Sequence, residues 1–125
     1  MKEVLNRRID EMFDDMVKDV QKLVRIDSVL DESTASEAAP FGKGINEALN
    51  QFLSISKELG FETENCDGYA GWAQLGKGGN EAGILVHVDV VPAVGDWKYP
   101  PFSAMIEDGK IYGRGAVDDK GPAHE

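Results

Sequence analysis

A short apolar run that carries two polar side chains, GILVHVDVVP from Gly83 to Pro92, constrains the fold more than any other segment. Apolar runs of about four to eight residues between turn residues are typical of a buried strand. Residues two apart project from the same face of a strand, so His87 and Asp89 are expected side by side. A metal-ligating histidine usually donates its second ring N–H to a carboxylate or a carbonyl. The run therefore indicates a metal ligand with its orienting partner, if a third group meets them.

Two helical patterns come before this run. Apolar residues spaced by three and four predict an amphipathic helix over residues 3–26 and a second helix that begins after Gly44, with Gly60 as its left-handed cap. The polar face of the first helix is largely acidic, so we interpret its apolar face as packing on a core. Binding to a membrane surface or to a partner is the alternative. Residues 27–40, between the helices, have the composition of a loop.

Strand patterns then take over. Asp67 with Gly68 and a glycine-rich turn at residues 76–80 separate the first three strands, and Asp108 with Gly109 joins a later hairpin. The glycine-rich turn lacks the GxxxxGK[ST] spacing, so a hairpin is favoured over a phosphate loop. The predicted strands are residues 61–65, 69–75, 84–91, 104–107 and 110–112. Helices followed by such strands predict the α/β class, with a mixed sheet flanked by helices.

Composition narrows the classes of protein. A chain of 125 residues is one domain or part of one. Its net charge of −10, from 23 acidic and 13 basic residues, disfavours nucleic acid as a partner. No apolar run approaches the roughly 20 residues that span a membrane, and the amino terminus lacks the pattern of a secretory signal, so we expect a cytoplasmic protein. Cys66 is the only cysteine, which excludes an internal disulfide.

Two adjacent carboxylates, Asp118 and Asp119, form a second polar feature within GRGAVDDKGP at residues 113–122. Carboxylates gathered near an imidazole can hold a divalent metal, whose charge offsets their mutual repulsion. Alternatively, the two carboxylates cap a following helix or pair with Arg114 and Lys120. Spacing alone leaves both interpretations open.

Three motifs in a fixed order resemble one family. HVDVVP, Trp97 followed by PPF, and DGKIYGRGAVDDKGP closely resemble the zinc-dependent metallopeptidase family of dipeptidases, carnosinases, glutamate carboxypeptidases and aminoacylases. Three upstream segments, LVRIDSV, FGKGINEAL and ELGFETEN, resemble the bacterial PepV-type dipeptidases in particular. The resemblance therefore covers nearly the whole chain.

The resemblance implies a site and a reaction. It implies that His87 ligates zinc, that Asp89 is the catalytic-site residue that orients His87, and that Asp118 bridges two zinc ions, with manganese or cobalt as alternatives. It also implies a cis peptide bond between Asp118 and Asp119, a form that is rare away from proline. Two metal ions that share a carboxylate lie about 3.5–4 Å apart and assist amide hydrolysis. The implied function is hydrolysis of dipeptides or other short peptide substrates.

Several site residues of this family have no counterpart in these 125 residues: a consecutive Glu–Glu pair, a further acidic ligand and a distant histidine. We therefore expect an incomplete amino-terminal segment, residues 1–125, of a di-zinc exopeptidase catalytic domain, without the lid domain and the returning catalytic segment. Two ligands are fewer than the three typical of catalytic zinc, so the isolated chain is expected to be inactive. Exposed sheet edges also predict self-association.

Two other functions stay open. An N-acyl amino acid deacylase of the same family uses the same metals with a different pocket, and a noncatalytic interaction module is the alternative from another class.

Trp97 is expected to shape the loop beside the site, and Arg114 to pair with one of the aspartates. His124 and Glu125 match no ligand position and are expected on the first turn of a helix.

Overall fold

Within residues 1–124, three α-helices lie near the two ends and in the middle of the chain. The computed structural model describes residues 1–124, so the expectation for Glu125 lies outside the described residues. The helices are α1 (Lys2–Val24), α2 (Lys43–Glu58) and α3 (Lys120–His124). A short 3-10 turn covers Glu32–Thr34. Both long helices and the helical position of His124 are confirmed. Within residues 1–124, none of the helices has the combination of length and apolar content that crossing a membrane requires.

α1 packs on the core through its second half. Leu23 and Val24 are fully buried, and Gln21 donates from Nε2 to the carbonyl oxygen of Ala104 at 2.9 Å. Residues 1–15 are all exposed. A helix of 23 residues is about 34 Å long, and the other described elements cover only its carboxyl-terminal part. The prediction that the whole apolar face packs on a core is therefore wrong for the first half of α1.

In the part of the chain that the structure describes, four short strands form two separate antiparallel hairpins. The strands are β1 (Glu62–Cys66), β2 (Ala70–Gln74), β3 (Met105–Glu107) and β4 (Lys110–Tyr112). Asp108 and Gly109 both have positive φ, at 50° and 70°, and so do Asp67 and Gly68, at 53° and 75°. Two consecutive residues with positive φ match the twist of a tight hairpin. Both turn predictions are confirmed.

The α/β class is confirmed, but the sheet is not one continuous mixed sheet. Residues 84–91 form no strand, although all of them are described, and Val90 makes only an isolated bridge, parallel to Val29. Ile84 and Leu85 are 90% and 99% exposed. An apolar strand is stable when strands pair with its edges and helices cover its faces. The two hairpins pair internally instead, so the predictions of a strand at residues 84–91 and of a hairpin at residues 76–80 are wrong.

Buried polar contacts nevertheless hold part of this segment in place. Ser28 is fully buried and donates from Oγ to the Val88 carbonyl at 2.7 Å. The N–H of Val90 donates to the Ser28 carbonyl at 3.1 Å. Lys120 is also fully buried and donates from Nζ to the Ile26 carbonyl at 2.7 Å. Residues 88–90 and the start of α3 are therefore anchored to the same stretch of chain after α1.

Candidate metal centre

Three carboxylates surround His87. Its ring Nε2 lies 3.0 Å from Oδ1 of Asp118. Its Nδ1 lies 3.3 Å from Oδ1 of Asp89 and 3.2 Å from the Asp89 carbonyl oxygen. Its backbone N–H donates to Oδ2 of Asp119 at 3.2 Å. The structure thus brings together His87, Asp89 and Asp118, the three residues singled out in the sequence, while their roles stay predictions.

Different parts of the chain produce the two ring contacts. Residues two apart share a face in any extended chain, so the Asp89 contact forms although residues 84–91 are not in a sheet. The Asp118 contact joins residues 31 positions apart. It depends on the anchoring of residues 88–90 through Ser28 and of the following helix through Lys120. The Asp89 contact therefore follows from the local sequence, whereas the Asp118 contact depends on tertiary packing.

The protonation of His87 follows from these contacts. A neutral imidazole has one N–H, so donation to both Asp89 and Asp118 requires the imidazolium form. Burial lowers the pKa of His87, but hydrogen bonds to the Asp89 carbonyl and to Asp118, together with both carboxylate charges, raise the pKa above its usual value of 6.5. The imidazolium form carries a proton at the Nε2 position that a metal ion would use, so metal and proton compete for this nitrogen.

This group of side chains is open to solvent. The side chains of His87, Asp89 and Asp118 are 49%, 60% and 87% exposed. Exposed ion pairs contribute little to stability because water and salt screen them. Ions and small substrates can reach all three side chains. The arrangement therefore favours ligand binding over a purely structural role.

The turn that carries Asp118 and Asp119 matches the sequence prediction. The peptide bond between these residues is cis, which confirms that prediction. Both side chains are directed to His87, one to the ring and one to the backbone N–H. Among the described residues, neither carboxylate forms an ion pair with Arg114 or Lys120. The alternative in which the carboxylates pair with these cations is therefore wrong.

Arg114 binds elsewhere, so the expectation that it pairs with an aspartate is wrong. Its guanidinium lies 5.0 Å from the centroid of the Trp97 ring, and Nη2 donates to the Pro92 carbonyl at a long 3.4 Å. A planar guanidinium stacks well on an aromatic face. Trp97 in turn donates from Nε1 to the Val94 carbonyl at 3.3 Å. Arg114 and Trp97 together hold the loop that follows the His87 segment.

Two buried polar side chains were missed by sequence reasoning. Lys120 is fully buried, and burial lowers its pKa from 10.5 to about 8, although Asp27 and Asp89 act in the opposite direction. The side chain of His124 is 5% exposed, with Nε2 3.4 Å from Oδ2 of Asp19. Lys120 follows two aspartates in sequence, so its local sequence offers no signal of burial. His124 offers none either, because its partner lies 105 residues away.

The donor types fit zinc, but two donors do not complete a site. An imidazole nitrogen and a carboxylate oxygen are ordinary zinc ligands, and three protein ligands are typical of catalytic zinc. Within residues 1–124, no group of three or more His, Cys, Asp or Glu side chains is placed to hold a metal ion. His87 and Asp118 therefore offer two donors to a metal that needs further ligands.

Comparison with known proteins gives a family match for this region. Residues 83–124 match the family described as Peptidase family M20/M25/M40. The matched range contains His87, Asp89 and Asp118, together with Trp97 and Arg114. The resemblance to metallopeptidases inferred from the motifs is confirmed.

Curated relatives extend the similarity along the chain. YtjP of Bacillus subtilis (strain 168), named a candidate dipeptidase, is 49% identical over 109 residues, which are 87% of this chain and 24% of that protein. The Beta-Ala-Xaa dipeptidase of Lactobacillus delbrueckii subsp. lactis is 48% identical over 111 residues, 88% of this chain and 24% of the relative. The chain thus spans about a quarter of the length of the curated relatives it matches.

Proposed function

From the peptidase family M20/M25/M40 signature that this chain carries across residues 83–124, we propose that it supplies part of a two-zinc centre that hydrolyses peptide bonds in dipeptides or short peptides. One observation carries the proposal. The His87 ring lies between Asp118, 3.0 Å from Nε2, and Asp89, 3.3 Å from Nδ1. Nδ1 also lies 3.2 Å from the Asp89 carbonyl oxygen, and in metal sites one ring nitrogen ligates the metal while the other donates to a carbonyl or carboxylate oxygen.

Each of the three residues has a distinct role. Asp89 accepts the Nδ1–H of His87, which selects the tautomer with a free lone pair on Nε2 and makes that nitrogen a stronger ligand. His87 would hold zinc through Nε2 once that nitrogen is deprotonated. Asp118 would hold the two-zinc centre through its carboxylate. Zinc, when bound, polarises the scissile carbonyl and lowers the pKa of a water molecule.

Relatives support peptides as the substrate class. Two relatives at 48–49% identity carry names of dipeptidases, and the similarity extends over 87–88% of this chain. Because two donors are too few for catalytic zinc, activity requires ligands and a general base beyond His87 and Asp118. We therefore expect the 125-residue chain to bind zinc weakly and to lack measurable dipeptidase activity by itself.

Zinc titration followed by NMR tests the site directly, because the chain has only two histidines. Added zinc is expected to shift or broaden the ring resonances of His87 while those of the buried His124 stay unchanged. Asp118→Asn should weaken the His87 response about tenfold or more, since a carboxylate ligand is lost. Asp108→Asn is the matched control, because Asp108 lies in the β3–β4 turn at a positive φ that asparagine tolerates.

Activity is tested in a polypeptide with the full length of the relatives. A dipeptide panel, with N-acyl amino acids as the competing substrates, should show dipeptide hydrolysis that His87→Ala reduces by about a hundredfold or more. Zinc that affects both histidines equally would contradict the assignment of the site. Preferred hydrolysis of N-acyl amino acids would contradict the substrate class. Normal dipeptide turnover by the 125-residue chain would contradict the proposal that this chain supplies only part of the two-zinc centre.

A further inference from the structure

Ser28 holds the backbone beside His87. Ser28 is fully buried, and its Oγ donates to the Val88 carbonyl at 2.7 Å. Its own carbonyl accepts from the N–H of Val90 at 3.1 Å. Ser28 thus contacts the residues on both sides of Asp89, and Val88 directly follows His87 in the chain. A single serine therefore fixes the backbone that carries both the imidazole and its orienting carboxylate.

Lys120 attaches the turn that carries Asp118 to the same part of the chain. Lys120 is fully buried, lies two residues after Asp118 and donates from Nζ to the Ile26 carbonyl at 2.7 Å. Ile26 and Ser28 are only two residues apart, and we call residues 26–28 the anchoring segment. Both donors of the candidate centre, which are 31 positions apart in the chain, are therefore attached to three consecutive residues.

Both long helices fix the anchoring segment in turn. At the end of α1, the N–H of Ile26 donates to the Leu23 carbonyl at 3.2 Å. At the start of α2, a Cβ added to Gly44 would collide with the Asp27 carbonyl oxygen. Glycine allows this close approach of two backbones because it has no Cβ. The contacts with α1 and α2 make the anchoring segment a rigid support for the residues attached to it.

The candidate centre needs such a support. Within residues 1–124, residues 84–91 form no strand, so a β-ladder does not hold the backbone of His87. The side chains of His87 and Asp118 are 49% and 87% exposed, so packing restrains them little. Metal ligands bind well only when supporting groups hold them within about 0.5 Å of the required geometry. The anchoring segment supplies this support from the buried side.

We propose that Ser28 is a positioning residue of the metal centre, whose hydroxyl holds His87 at the distance from Asp118 that zinc binding requires. This inference rests on the proposed function, because it requires that His87 and Asp118 bind zinc. Without the hydroxyl, the Val88 carbonyl loses a buried donor and residues 87–89 gain freedom. Ordering them again then opposes zinc binding. Loss of a group that supports a metal ligand typically lowers metal affinity about 10- to 100-fold.

Ser56 provides a matched control for a purely structural role. Ser56 is 7% exposed, and its Oγ donates to the Phe52 carbonyl at 2.9 Å within α2. Ser28→Ala and Ser56→Ala therefore each remove a buried hydroxyl that donates to a backbone carbonyl. A role in stability alone would leave the zinc affinity of both folded variants unchanged. A positioning role lowers the zinc affinity of Ser28→Ala only.

Zinc titration of the 125-residue chain, followed by the ring resonances of His87, measures the zinc Kd of each variant. Ser28→Ala should raise the Kd about tenfold. Ser56→Ala should leave the Kd within about twofold of the native value. Circular dichroism checks that both variants keep the helix content of the native chain.

Hydrogen exchange of the native chain gives a second measurement that needs no variant. The N–H of Val90 donates to the Ser28 carbonyl, so its exchange reports the opening of this contact. If the closed contact positions His87, zinc binds the closed form more tightly and must stabilise it. Zinc at ten times its Kd should slow this exchange about threefold or more. The N–H of Tyr69, which donates to the Cys66 carbonyl in the β1–β2 turn, is the control and should exchange at an unchanged rate.

The outcomes separate this inference from the proposed function. A Kd of Ser28→Ala equal to that of the native chain would overturn the inference, and so would equal rises in Ser28→Ala and Ser56→Ala. Exchange of the Val90 N–H that zinc leaves unchanged, while the His87 ring responds to zinc, would also overturn it. A native chain in which zinc leaves the His87 ring unaffected would instead overturn the proposed function, and this inference with it.

Discussion

We expect the free energy of unfolding of the native chain to rise between about pH 8 and pH 10.5, and we expect Lys120→Met to remove this rise. Lys120 has no exposed surface and donates from Nζ to the Ile26 carbonyl at 2.7 Å. Burial lowers its pKa from 10.5 to about 8. Between these two pH values the unfolded chain holds a proton on Lys120 that the folded chain has lost. The free energy of unfolding therefore increases with pH in this window.

The size of the rise follows from the two pKa values. A lowering from 10.5 to about 8 corresponds to roughly 3 kcal/mol between the charged and neutral forms. Methionine keeps most of the apolar stem and removes the amine, but it leaves the Ile26 carbonyl without this donor, at a cost of about 1–3 kcal/mol. At pH 7 Lys120→Met removes the cost of burying a charged amine but also loses the hydrogen bond to Ile26, and these two effects offset each other to within about 2 kcal/mol. At pH 10.5 only the cost remains, and Lys120→Met should be the less stable chain.

Urea unfolding at several pH values, followed by circular dichroism, measures this difference. The native chain and Lys120→Met should diverge as pH rises from 8 to 10.5. Lys110→Met is the control, because Lys110 is exposed on β4 and should keep the native pH dependence. A constant difference between the native chain and Lys120→Met across this window would refute the reasoning, since it would mean that Lys120 titrates alike in the folded and unfolded chains.

Two further predictions concern packing and the candidate site. Gly113→Ala should destabilise the chain by about 1–3 kcal/mol in urea unfolding, because its Cβ would collide with the buried Val24 side chain. Gly79→Ala, whose Cβ would meet no described atom within 4 Å, should change stability by less than about 0.5 kcal/mol. In the metal-free chain, Asp118→Asn should lower the pKa of His87, measured from its ring resonances, because a charged acceptor is lost.

Each of these predictions has a clear contrary result. Equal stabilities of the two glycine variants would mean that the contact between Gly113 and Val24 relaxes without cost. An unchanged histidine pKa in Asp118→Asn would separate Asp118 from the His87 ring in solution. The raised pKa of His87 in the native chain also determines how its contribution to stability changes with pH. The contribution of His87 is present at low pH and is lost as pH rises through the raised pKa.

Local patterns predicted much of the fold. The spacing of apolar residues located α1 and α2, because helical hydrogen bonds join residues four apart and the pattern lies within the helix itself. Asp108 and Gly109 located a hairpin turn, because few residue pairs tolerate two positive φ angles in succession. The same-face relation of His87 and Asp89 held without a sheet, since it depends only on extended backbone.

The sequence by itself therefore determined the helices, the tight turns and the neighbouring pair of His87 and Asp89. Tertiary structure alone decided that residues 84–91 stay outside a sheet, that Lys120 is buried, and that Asp118 meets the His87 ring. The physical reason is the range of the interactions. Helix periodicity and turn geometry are satisfied within a few residues, whereas strand pairing, burial and the meeting of distant side chains depend on which surfaces the rest of the chain provides.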